Sequence, residues 1–392
     1  MMKKYFGLAA APMLAMAFGT LAHAQNYTQV NLVANKPGVA PVTDPNLVNP
    51  WGLSRGSGSP WWVSDTDTGL STLYNGAGTI TPLVVTIPKN PAGTSKIGSP
   101  TGVVYNGNTA DFLLGVGFPA SFLFSTIDGT IAGWNSKIGI PKGGKAPSTN
   151  AVTVAKGVKG SVYTGLTAAT WGGKTYLYAA NIGTGKVDVF NSTFHAFNLP
   201  PVPNGDQFNP GLEEAFFDAL LPAGFAPYNV QAVGNDIVVT YASASFKSGP
   251  GLGYVDVYSA AGELLNRLQW GPWFNGPWGV ALAPTDFGTY SHALLIGNFG
   301  GGGTSENAGT IAAFDLATGD YLGQVETAAG KPVVIEGLWA LAAGNGSEAG
   351  SFDPAGAPAA EIYFTAGPNK EQDGLFGYLK PVATELTDGN DQ

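Results

Sequence analysis

Four oxygen-bearing side chains stand where apolar runs begin or end in this sequence: Glu336 ahead of one run, and Asp65, Asn181 and Asn298 at the ends of three others. Carboxylate and amide oxygens are the donors that hard cations choose, so this set could hold Ca²⁺ or another divalent cation. The same residue types at strand ends also cap turns by bonding nearby backbone groups. Glu336 fits that second role less well, because a carboxylate at the mouth of an apolar strand is costly unless it is paired or metal-bound. A second set, Trp51, Trp278, Trp339 and Asn229, could stack on and orient a planar or sugar-like ligand. Those indoles would serve equally as wedges between packed sheets.

Other chemistry is excluded by spacing. Gly52-Leu-Ser-Arg-Gly56 matches the G-x-S-x-G string, but a nucleophile elbow needs a strand turning into a helix, and this string lies within a strand pattern. Past residue 24 the histidines are His195 and His292, neither of them in an H-E-x-x-H zinc pattern. Gly183-Thr-Gly-Lys186 lacks the phosphate-loop spacing. Asp65-Thr-Asp67-Thr-Gly69 opens like a calcium loop, but Gly76 occupies the position where the bidentate Glu is required.

The elements that must position these groups recur. A glycine, four strand-like residues and a large aromatic appear at Gly69 to Tyr74, Gly129 to Trp134, Gly185 to Phe190, Gly253 to Tyr258 and Gly309 to Phe314, and with a terminal aliphatic at Gly374 to Leu379. Successive glycines lie 60, 56, 68, 56 and 65 residues apart. Self-similarity at such a period marks a repeat architecture. Ahead of each copy comes a Gly-aliphatic pair, as in Pro50-Trp-Gly-Leu53 and Pro277-Trp-Gly-Val280, or Asn229-Val230 in its place. Small residues there suit innermost strands crowded around an axis. An apolar strand with a polar end follows each pair, then the glycine strand, then a fourth strand such as Leu264 to Leu268. Four antiparallel strands in each of six units predict an all-β, six-bladed β-propeller. Asn26 to Asn35 alternates polar and apolar and is expected to close the ring against the last blade. Leu212 to Leu221 has near-helical apolar spacing and predicts one short helix.

In that topology the start of the first strand and the end of the second emerge on one face. Both candidate sets therefore belong to the same face of the ring.

Residues 1–24 read as a secretory signal peptide: Lys3 and Lys4, an apolar run from Tyr5 to Leu21, and Ala22-His-Ala24. Pro12 and Gly19 weaken that run as a membrane anchor, and no later stretch has the roughly 18 apolar residues of a span. Residues 25–392 are then one propeller domain, expected to be periplasmic or secreted and monomeric. Loss of the two lysines takes the formal charge from −9 to −11, which argues against a nucleic-acid partner. There is no cysteine, so stability must come from the core, and 44% hydrophobic content supplies it. The 57 glycines, 28 prolines and 11% charged residues fit short strands joined by turns.

The motif set Asn49-Pro-Trp-Gly-Leu53, Trp62-Val-Ser-Asp65, Ser99-Pro-Thr-Gly-Val103 and Asp128-Gly-Thr-Ile-Ala-Gly-Trp134 resembles an uncharacterised family of exported bacterial six-bladed propellers. Some members of that family carry exosortase sorting tails, which the polar stretch Thr384 to Gln392 does not resemble. More distantly, the blades are similar to NHL repeats and to the regucalcin and gluconolactonase propellers. The second likeness implies a divalent metal that polarises a lactone carbonyl, with Glu336 as first ligand and Asp65, Asn181, Asn298 or Asn229 as the others. Two functions stay open. One is a propeller that binds a protein, glycan or small ligand on its polar and aromatic face. The other is a metal-dependent hydrolase of the lactonase type. Scarce groups for proton transfer favour binding.

Overall fold

Six antiparallel sheets follow one another along the chain, and their innermost strands neighbour each other in sequence order, with the sixth returning to the first. The protein, described here from a computed structural model over residues 26–204, 211–302, 306–344 and 361–382, is an all-β six-bladed propeller. The leader assigned to residues 1–24 and the polar stretch from Thr384 lie outside the described residues. Within them, no helix is long and apolar enough to cross a membrane.

The inner strands are Pro50–Ser54, Pro100–Tyr105, Tyr163–Trp171, Phe225–Val233, Pro277–Leu282 and Leu338–Ala343. Their glycines do what crowding around an axis requires. A Cβ on Gly52 would lie 2.3 Å from Thr101 O, and one on Gly102 would lie 2.2 Å from Leu166 N. At Gly165 it would meet Asn229 Oδ1 at 2.1 Å. Each missing side chain is thus replaced by the next blade's inner strand. The repeat glycines divide into two kinds. Gly69, Gly129, Gly185 and Gly309 turn with φ of 71 to 76°, a conformation glycine enters without Cβ strain. Gly253 and Gly374 instead admit a close neighbour, Pro277 Cδ and Leu47 O respectively.

Packing follows strand alternation. One hydrophobic cluster fills each of the six blade-to-blade interfaces, and a seventh sits at the axis. Trp62 of the first blade, for example, stacks on Phe122 of the second at 4.2 Å between ring centroids. Burying such a ring stabilises by about 2 to 3 kcal/mol. Tyr27–Ala34 pairs antiparallel with Leu375–Pro381 and so lies outermost but one in the sixth sheet, flanked by Val42–Thr43.

Two expectations are corrected. Among the described residues the third blade has three strands, Tyr163–Trp171, Lys174–Asn181 and Lys186–Asn191, where four were expected. The chain begins a fourth strand with a bridge between Phe190 and Ala196, then meets Pro200, Pro201 and Pro203, which have no N–H for a ladder. Leu212 to Leu221 is not a helix: Leu212–Glu213 is a short strand, and Phe216 takes φ of 59°. Its apolar spacing reflects two half-buried anchors, Phe216, packed on Tyr178 and Tyr258, and Leu221, while Leu212 and Leu220 are exposed.

Candidate functional site

The axis carries an aromatic plug at one end. Trp51, Tyr228 and Trp278 come from the inner strands of blades one, four and five, Trp339 from blade six, and Phe299 follows the second strand of blade five. Trp51 and Phe299 stack on opposite sides of Trp339, at 3.7 and 3.8 Å between centroids. Trp278 meets both indoles edge-on. Trp51, Trp278 and Trp339 are therefore brought together as wedges packed on one another, 1 to 6% exposed. Asn229 joins them by donating from Nδ2 to Trp278 O at 2.8 Å. The axis narrows to a cavity of about 10 Å³ between Gly52, Gly102, Leu166, Asn229, Trp278 and Ala340, about the room one water needs.

Polar strand ends are spent on lacing blades together. Thr101 donates to Tyr163 O at 2.8 Å, Thr365 to Trp51 O at 2.6 Å, and Thr66 to Pro100 O at 2.7 Å. The expected metal ligands are instead turned each to its own blade. Asn181 Oδ1 accepts from Val162 N and Thr184 N, and its Nδ2 donates to Asp188 and Ser161. Asn298 Oδ1 accepts from Asn275 N. Glu336 lies outside its strand, exposed, and accepts from Asn369 N at 3.0 Å. Asp65 is buried, with Oδ2 on Thr72 N and no partner for Oδ1. Burial, then the nearby Asp44 charge, holds its carboxyl well above the usual range, against the Thr72 hydrogen bonds that lower it. These four donors do not fit one ion. Among the described residues no three His, Cys, Asp or Glu side chains gather.

A different polar group sits over the plug. Asn49, buried and with φ of 47°, uses one side-chain oxygen to accept the indole N–H groups of Trp51 at 3.2 Å and Trp339 at 2.9 Å. Its Nδ2 reaches Glu371 Oε2 at 3.2 Å and, more weakly, Asp67 Oδ1 at 3.5 Å. Asp67 comes from the turn between the second and third strands of blade one and Glu371 from the corresponding turn of blade six, so two carboxylates face one amide. Partial burial raises both carboxyls, Asn49 opposes it at each, and the Asp67 charge adds to it at Glu371. Tyr228 borders the group: burial first, then the Glu371 charge, pushes its phenol up. Among the described residues no lysine or arginine pairs with Asp67 or Glu371. The sequence carried one trace of this group, Asp67 in the incomplete calcium-loop string. Nothing local links Asn49 to Glu371, which lies 322 residues away.

No family model matches the chain. An uncharacterised protein of Acanthamoeba polyphaga mimivirus is 27% identical over 383 residues, covering 96% of this chain and 85% of its own. A second mimivirus protein is 27% identical over 365 residues, covering 89% and 84%. Among solved structures, the aldose sugar dehydrogenase of Streptomyces coelicolor shares 14% identity and a TM-score of 0.46, covering 91% of this chain and 99% of that one. Regucalcin of Agrobacterium tumefaciens, described as calcium-binding, shares 10% and 0.45, covering 86% and 92%. Virginiamycin B lyase of Staphylococcus aureus shares 11% and 0.44, covering 91% and 99%.

Proposed function

We propose that this is an exported binding propeller, periplasmic or secreted, whose plugged face takes a glycan or other polyhydroxylated ligand between Asp67 and Glu371. The observation that carries this reading is the pair of carboxylates held on the Asn49 amide over an aromatic floor, with no lysine or arginine paired to them among the described residues. Such a mouth presents hydrogen-bond acceptors and asks its ligand for donors. Ligand hydroxyls satisfy carboxylates without the cost of neutralising them, and the buried indoles keep the floor rigid, which lowers the entropy lost on binding.

The same pair supports a second reading. Asp67 and Glu371 offer the hard oxygens that Ca²⁺ prefers, and a bound ion could polarise a lactone carbonyl as a Lewis acid. Hydrolysis would further need a base near that carbonyl.

A glycan array probed with the purified protein, beside melts with calcium and with chelator, separates the two. The binding reading expects glycan signal that the Asp67→Asn, Glu371→Gln double variant loses, and a melting temperature indifferent to chelator. Calcium-dependent stabilisation that vanishes in the double variant supports the ion instead. A protein giving neither response leaves this face without a ligand role.

A further inference from the structure

The third blade ends in an open ladder. On its outer strand, Asn191 N bonds His195 O at 2.9 Å and Val189 O accepts from Phe197 N at 2.8 Å. Alternate residues of a strand point their N–H and C=O to the same side, so Val187 also faces outward. Among the described residues, the N–H of Val189 and both backbone groups of Val187 have no hydrogen-bond partner. A groove of about 490 Å³ runs along this edge, walled by Val187, Val189, Phe197, Leu199 and Phe216. Such a volume is that of a ligand site, and here it lies where the missing fourth strand would run.

The charges in the groove are mostly spent. Lys186 pairs with Glu214 at 3.0 Å, and Asp188 accepts from the Tyr163 hydroxyl at 2.8 Å and from Asn181 at 2.9 Å. Lys156 also lines the groove and has no ion pair among the described residues. Lys156 is thus the one charged side chain of the groove left without a polar partner among the described residues, and a carboxylate would be met there.

We propose that an extended, acidic segment of a partner protein docks here and completes the third blade as its fourth strand. Its main chain bonds Val187 and Val189, its alternate side chains enter the apolar wall, and a carboxylate meets Lys156. Strand addition of this kind draws affinity from main-chain bonds and specificity from alternate side-chain pockets. Proline at the bonding positions is excluded, because it supplies no N–H.

The test is selection of a random octapeptide library, displayed on phage, against the whole protein, followed by fluorescence anisotropy of the enriched peptides. Proline-free sequences with an acidic residue are expected. N-methylation of alternate peptide amides should weaken binding at least tenfold, and so should Val187→Pro, which removes an outward N–H and one wall side chain at a tolerant edge. Lys156→Glu should weaken it severalfold and reduce its sensitivity to salt. The Asp67→Asn, Glu371→Gln variant should bind the peptides unchanged, which separates this site from the plugged face. If no peptide is enriched, or if N-methylated peptides bind as well as their parents, blade three does not accept a strand.

Discussion

The side-chain oxygen of Asn49 accepts the indole N–H of Trp339 at 2.9 Å across 290 residues of chain. One buried amide thereby fastens the first blade to the sixth, holds the stack of Trp51 and Trp339, and presents its nitrogen to Asp67 and Glu371. Fold closure and the candidate site share this residue, so its loss should be felt in both.

Asn49→Ala would leave two buried indole donors unpaired, at about 1 to 3 kcal/mol each. It would also place Ala at a φ of 47°, adding about 1 kcal/mol. Asn49→Gly removes the backbone strain but not the unpaired donors. Urea melts should therefore rank wild type above the glycine variant and that above alanine, with about 2 kcal/mol or more between the first two. A glycine variant as stable as wild type would show that the indoles do not depend on Asn49.

Gly102 and Gly185 separate crowding from turn geometry. A Cβ on Gly102 would lie 2.2 Å from Leu166 N and 2.8 Å from Gly165 C, backbone atoms that cannot move without shifting an inner strand. A Cβ on Gly185 would meet nothing within 4 Å, although φ there is 72°. Gly185→Ala should cost about 1 kcal/mol, and Gly102→Ala at least about 3 kcal/mol or yield no folded protein. Equal losses in denaturant melts would count against an axis packed backbone to backbone.

The ring was legible because its period is carried by residues with a steric reason to recur. Glycine before each third strand marks a left-handed turn or a close approach, and alternation fixes which face packs. The site was legible only in part. Trp51 and Trp278 could be placed at strand starts, yet whether an indole at a mouth is free or stacked depends on neighbours from other blades. Asn181 and Asn298 look alike whether they bind an ion or cap a turn, and their bonds to Val162 N and Asn275 N decide for the turn. The apolar spacing of 212–221 misled because a loop with two half-buried anchors, Phe216 and Leu221, can mimic a helix face.

Asp256 should set a slope in stability against pH. It is buried, and burial first, then the Asp218 charge, pushes its carboxyl up to about 7, while the Tyr258 hydroxyl and Arg267 act in the opposite direction. Arg267 is itself bonded to Asp218 through Nε at 3.0 Å. A folded value above the ordinary 3.8 means the folded state binds the proton more tightly. That stabilisation is complete below about pH 4 and is lost as pH rises through about 7. Asp256→Asn can still accept from Tyr258 but does not titrate. The stability of wild type minus variant should fall steadily between pH 4 and 8 in urea melts, and a flat difference would rule out proton uptake at Asp256.

Asp65 distinguishes a turn-holding carboxyl from a metal ligand. Oδ2 accepts from Thr72 N at 3.0 Å, and both residues are buried. With its carboxyl held well above the ordinary range, Asp65 stabilises the fold only when protonated, and that contribution is lost as pH rises through the raised value. Asp65→Asn keeps an acceptor for Thr72 N, removes the desolvated charge, and brings a donor toward the Thr72 hydroxyl. It should therefore increase stability more at pH 8 than at pH 5. Asp65→Ala strands the Thr72 N–H and should lose about 1 to 3 kcal/mol at both. If Asp65→Asn is destabilising at pH 8, and only when calcium is present, the carboxylate is a ligand and the turn-holding account fails.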